Sequence, residues 1–185
     1  MNSVISTEDI NNNIDYYAKE FSEGNPILEK LLKEMWNRGY ETIGCCTGHE
    51  DDETAKPYIA FKVNNKTQTL NLISSINKKN VRISLTTYKG GFNCGILSRS
   101  REDIFENIIN SLNQENVDKE LEEIFNKMNE LDKEYHNNLL IYYNDNNIIE
   151  GIRLNTEDKR IIDKLIKDNY SYQILNKNIY HFIIK

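Results

Sequence analysis

In the run Val81-Arg82-Ile83-Ser84-Leu85-Thr86-Thr87-Tyr88, side chains alternate between polar and apolar. This is the period at which an extended chain points successive side chains to opposite faces. Lys89-Gly90-Gly91 supplies a tight reversal, and Phe92-Asn93-Cys94-Gly95-Ile96-Leu97 returns as a second strand. The pair reads as a β-hairpin with one apolar face, and such a face has to be covered by other elements.

The chain supplies that cover. Asn25-Pro26 is an N-cap residue followed by proline at the first helical position, and Ile27, Leu28, Leu31, Leu32, Met35 and Trp36 recur at helical spacing before Gly39 ends the segment. Strands are expected at 40–46 and 57–63, with a helix at 69–79 between the second of these and the hairpin. Ser100 and Asp103 have capping-box-like spacing ahead of a helix carrying Ile104, Phe105, Ile108, Ile109 and Leu112. Residues 25–113 thus read helix-strand-strand-helix-strand-strand-helix. The fold class is α+β: a mainly antiparallel sheet with helices packed on one face, and the other face open for a groove or a partner.

Val117, Leu121, Ile124, Phe125, Met128, Leu131 and Tyr135 follow at alternating four- and three-residue steps. That seam suits a long helix lying along its own body or a homodimer contact; its extent of about two and a half heptads favours the first. Beyond it come strands at 139–143 and 148–154, a helix capped by Thr156, and a closing hairpin of 172–175 with 179–184. The domain reading is a polar segment 1–24, a main α/β domain 25–136 that includes the heptad helix, and a small C-terminal strand-helix-hairpin unit 137–185.

Of 185 residues, 29 are acidic and 23 basic, for a net charge of -6 with neither sign gathered in a block. A broad basic face for nucleic acid is therefore not expected, although a local basic patch is compatible with these numbers. The polar opening is unlike a signal peptide, no run approaches the roughly 18 apolar residues of a membrane span, and the three cysteines are an odd number, so a cytoplasmic protein with free thiols is expected. Plentiful Asn, Ile and Lys suit an AT-rich bacterial or phage genome. The phosphate-loop, dinucleotide-glycine, His-Glu-x-x-His and EF-hand patterns do not occur, so cofactors bound by those devices are not indicated, and the cofactor is left unknown.

The stretch that draws chemical attention is Cys45-Cys46-Thr47-Gly48-His49, at the end of the first strand. Consecutive strand residues face opposite ways, so Cys45 and Cys46 cannot both enter the core. One reading makes them small buried residues. A second makes Cys45 or Cys46 a catalytic nucleophile with His49 as base, oriented by Glu50, Asp51 or Asp52. A third has Cys45 or Cys46, His49 and a carboxylate or Cys94 hold zinc, although no second ligand pair completes a familiar structural site. A fourth has the turn at Thr47 and Gly48 bind a small ligand through its backbone.

Thr42, Cys46 and Gly48 also match a stretch of about ten residues in which the chain loosely resembles the Ser-Ser-Cys-Ser-Gly-Arg region of the wybutosine-synthesising transfer-RNA methyltransferase family; His49 stands where that family has arginine. The resemblance implies a methyltransferase acting on transfer RNA. The acidic net charge opposes that activity, and it is not adopted.

Two further groups are candidates. Ser98-Arg99-Ser100-Arg101 combines arginines with an expected helix start, an arrangement that can hold a phosphate or carboxylate, or else simply cap the helix. Arg82, Ser84 and Thr86 share one strand face, and Tyr58 and Lys62 share a face of the neighbouring strand, so the five can line a groove or form the wet side of a sheet. The leading expectation is a small binding or regulatory protein that recognises a small anionic or nucleotide-like ligand near the Cys46 turn. The alternatives are a cysteine-dependent enzyme and a phage or mobile-element interaction module.

Overall fold

The computed structural model describes residues 7–49, 54–89, 91–130, 136–156, 162, 170–176 and 178–184. Six helices and eight strands are described: α1 (Thr7–Asn12), α2 (Ile14–Phe21), α3 (Pro26–Asn37), β1 (Glu41–Cys46), β2 (Tyr58–Lys62), α4 (Lys66–Ser75), β3 (Val81–Tyr88), β4 (Gly91–Ser98), α5 (Phe105–Ser111), α6 (Lys119–Asn129), β5 (Asn137–Tyr143), β6 (Ile149–Asn155), β7 (Tyr170–Asn176) and β8 (Ile179–Ile184). The strands form one antiparallel sheet in the order β1-β2-β4-β3-β5-β6-β8-β7.

Register explains why helices cover only one face. Cys45, Ile59, Ile96, Ile83, Ile141, Ile152 and Phe182 are successive cross-strand partners from β1 to β8. Except for the half-buried Cys45, all are buried in the core. The adjacent row runs Cys46, Tyr58, Leu97, Arg82, Tyr142 and Gly151, and its side chains point the other way. The next row on that open face is Gly44, Ala60, Gly95, Ser84, Leu140, Arg153 and His181.

The expected hairpin is β3–β4, in register from Val81 opposite Ser98 to Tyr88 opposite Gly91. Asn25 caps α3 as expected, its side chain accepting from the backbone N–H of Ile27 and Leu28. The helical stripe of α6 belongs to the chain's own core: Leu121, Ile124, Phe125 and Met128 are buried, and Phe125 packs on Phe92 with ring centroids 4.9 Å apart. Leu131 and Tyr135 lie outside the described residues. The described strands of 137–185 belong to the same sheet, because β5 pairs with β3.

Three local expectations shift. Within the polar segment, Thr7–Asn12 and Ile14–Phe21 form α1 and α2, whose partly buried Ile10, Ile14, Tyr17 and Phe21 pack on the core. The second helix begins at Lys66, because the Asn65 side chain accepts from the N–H of Gln68 and caps it there. α5 begins at Phe105, where Asp103 accepts the Phe105 N–H, so Ser100 caps no helix and instead accepts from the N–H of Glu102. The helix expected after Thr156 falls, apart from Ile162, outside the described residues. No helix among the described residues is long and apolar enough to cross a membrane.

Candidate metal centre

β1 is an edge strand with a register irregularity between Thr42 and Gly44, and its C-terminal end carries the Cys45-to-His49 run. α3 fixes the strand's start: Trp36 Nε1 donates to Thr42 Oγ1 at 2.8 Å. α2 is held over the same region by aromatic contacts, Tyr17 against Phe21 at 6.0 Å and Phe21 against Trp36 at 6.3 Å.

The two cysteines part as strand geometry requires. Cys45 turns towards the helices, where its Sγ meets the Phe21 carbonyl at 3.5 Å, and burial pushes its thiol up to about 11. Cys46 turns the other way. Its Sγ lies 3.5 Å from His49 Nε2 and receives the Gly48 N–H at 3.3 Å. Cys94 is fully buried in the middle of the sheet, where desolvation raises its thiol, and it takes no part in this cluster.

Gly48 makes the reversal that brings His49 back to Cys46. Its φ is +81°, and a Cβ there would lie 3.1 Å from the Pro57 ring, so an L side chain is opposed by both backbone and space.

Glu23 completes the group. It follows the end of α2 with φ +54°, a left-handed conformation that costs a residue with a Cβ about 1 kcal/mol. In that position its carboxylate accepts the N–H of Thr47 at 3.1 Å and the Thr47 hydroxyl at 2.8 Å. These bonds hold the carboxyl below its ordinary range, and the nearby His49 adds a smaller effect in the same direction. One ligand atom each from Glu23, Cys46 and His49 lies within 4.8 Å of the others.

A hollow of about 400 Å³ adjoins this end of the sheet, with Ile10, Phe21, Leu32 and Ile43 supplying apolar walls and Glu20, Glu23 and Cys45 the polar ones.

The other sequence candidates lie elsewhere. Arg99 donates from Nη1 to the Tyr143 carbonyl at 2.7 Å and sits 3.8 Å from Glu150, so it ties the end of β4 to the β5–β6 hairpin. Ser98 is buried, with its hydroxyl donating to Glu102 O and accepting from Ser100 N–H, and Arg101 is exposed. Tyr58, Lys62, Arg82, Ser84 and Thr86 do share the open face of the sheet, with Lys62 ion-paired to Glu41. Glu50, Asp51 and Asp52 lie outside the described residues. Glu23 had no signal in the sequence, because nothing in residues 20–25 announces a partner more than twenty positions away.

Comparison with family models, with curated proteins and with solved structures finds no match.

Proposed function

We propose that this chain binds one thiophilic divalent metal ion of the zinc type through Cys46, His49 and Glu23, and leaves the remaining coordination position open to a small molecule. The observation that carries this reading is the convergence of a thiol, an imidazole and a carboxylate within 4.8 Å. Bond lengths of about 2.3 Å to sulfur and 2.0 Å to nitrogen around a tetrahedral ion separate those two ligand atoms by about 3.5 Å. The Cys46 Sγ to His49 Nε2 distance is 3.5 Å.

The surroundings support the same chemistry. Thr47 orients the Glu23 carboxylate in the way outer hydrogen bonds orient metal ligands, and the Gly48 N–H points at the sulfur. Three protein ligands with an open fourth position is the pattern of zinc sites that bind or activate a small molecule, whereas structural sites are closed. A cation also suits this end of the sheet better than an anion, since Glu20 and Glu23 border it while Arg99 serves the β5–β6 hairpin. Free thiols suit a reducing compartment, which supports a cytoplasmic setting.

The second reading rests on the same 3.5 Å contact: Cys46 as a nucleophile and His49 as its base. Cobalt(II) titration separates the two. The metal reading expects one equivalent bound, with a thiolate-to-cobalt charge-transfer band that disappears in Cys46→Ser and weakens in His49→Gln and Glu23→Gln, while Cys45→Ser keeps it. Absence of the band in the wild type, or its survival in Cys46→Ser, overturns it.

A further inference from the structure

The open face of the sheet has a second built feature, four strand spacings or about 19 Å from Cys46 along the same cross-strand row. Tyr142 stands there between two cationic or ionisable groups. The Arg82 guanidinium lies over its ring at 5.9 Å, and the His181 ring lies 6.3 Å away at a tilt of 54°. Between Tyr142 and His181 the intervening strand contributes Gly151, which has no side chain, and a Cβ added there would approach His181 Nε2 to 3.0 Å and the Phe182 carbonyl to 3.2 Å. The glycine therefore opens the hollow and lets the imidazole lean into it.

That hollow has a volume of about 440 Å³ and is lined by Tyr142, Glu150, Gly151, Arg153, Leu175 and His181. Its charges are unequal. Glu150 is balanced by Arg99 at 3.8 Å, whereas Arg153 is exposed and has no hydrogen-bond or ion-pair partner among the described residues. With Arg82 behind Tyr142, the balance is positive, in a chain whose net charge is -6.

Flat aromatic walls, an apolar end at Leu175 and an unpaired guanidinium are complementary to a planar ring joined to an anionic group. Rings stack on tyrosine and imidazole faces, and arginine pairs with phosphate through its planar fork. We propose that the Tyr142–Arg153–His181 hollow binds a nucleoside monophosphate, with the base against Tyr142 and His181 and the phosphate on Arg153. A single nucleotide is favoured over a polynucleotide because the cationic groups gather at one hollow rather than along the sheet: Lys62, on the same face, is already neutralised by Glu41. This site is independent of the proposed metal centre.

The test is calorimetric titration of the full chain with adenosine 5′-monophosphate, adenosine, inorganic phosphate and a short single-stranded oligonucleotide, all in the presence of a chelator so that the metal centre plays no part. The expected result is that the monophosphate binds more tightly than adenosine or phosphate alone. Arg153→Gln should weaken the monophosphate by about tenfold while leaving adenosine unchanged. Tyr142→Leu should weaken both, and native-like thermal unfolding of each variant confirms its fold. The proposal is overturned if the monophosphate gives no heat and no thermal stabilisation at millimolar concentration, if Arg153→Gln binds it as the wild type does, or if the oligonucleotide binds more than about tenfold tighter, the signature of a multi-phosphate interface.

Discussion

The carboxylate of Glu23 accepts both the backbone N–H and the hydroxyl of Thr47, at 3.1 and 2.8 Å, and so fastens the turn after α2 to the turn after β1. Neither segment alone presents three ligand types. Together they do, because the aromatic contacts among Tyr17, Phe21 and Trp36 fix where α2 ends and the Trp36–Thr42 hydrogen bond fixes where β1 begins.

Thr47→Val removes one of those two bonds and leaves the backbone one. Since the bond is exposed, the expected loss of stability is about 1 kcal/mol by urea unfolding. Metal affinity measured by competition with a chromophoric chelator should fall by about 10- to 100-fold, the usual effect of losing a group that orients a ligand. Unchanged affinity would mean that the Thr47 hydroxyl does not orient the Glu23 carboxylate for the metal.

The three thiols should react in a fixed order. Cys94 is fully buried and burial pushes Cys45 up to about 11, so Cys46 is the first to be alkylated by iodoacetamide near neutral pH. Peptide mass spectrometry locates the label. Saturating zinc should slow that labelling, and equal protection of Cys45 would contradict the assignment of Cys46 as the ligand.

Lys78 gives the fold a distinctive pH response. Its ammonium is buried, donates to the carbonyls of Ser74 at 2.8 Å and Ile76 at 2.9 Å, and desolvation pulls it down to about 8. The unfolded chain keeps that lysine near 10.4, so between these values the unfolded state binds more protons and stability rises with pH. Wild type minus Lys78→Met, measured by urea unfolding at a series of pH values, should therefore grow across pH 8 to about 10.4 by as much as about 3 kcal/mol. Taking the difference cancels Cys94, whose raised value acts in the opposite sense in both proteins. A flat difference would mean the ammonium is not desolvated.

Leu121, Ile124, Phe125 and Met128 of the α6 stripe are buried in the chain's own core. Phe125→Ala should cost about 3–5 kcal/mol through the cavity left against Phe92, whereas Val117→Lys, at a position 45% exposed before the helix, should stay within about 0.5 kcal/mol. Denaturant unfolding of the two variants reads this directly. Comparable losses would point to a partner covering both residues.

Much of the architecture was legible because its signals are local. The alternation of Val81–Tyr88 and the Asn25-Pro26 cap each report a backbone preference within a few residues, and both features are present. Helix starts are less legible, because several side chains near a helix end can accept its first N–H groups. Ser100 and Asp103 both suit a cap, and Asp103 takes the helix N–H because Ser100 is occupied with Glu102. The first 24 residues looked merely polar because α1 and α2 present only a narrow apolar edge, sufficient once a core exists for it to meet.

The sequence by itself determined the antiparallel sheet, the one-sided helical cover and the opposite facing of Cys45 and Cys46, because side-chain direction follows from backbone periodicity alone. Only the tertiary structure decided that Glu23 joins Cys46 and His49, and that Tyr142, Arg153 and His181 border one hollow across an intervening glycine. Those groupings depend on which strands become neighbours and where a helix ends over them, which is settled by packing among residues far apart in the chain.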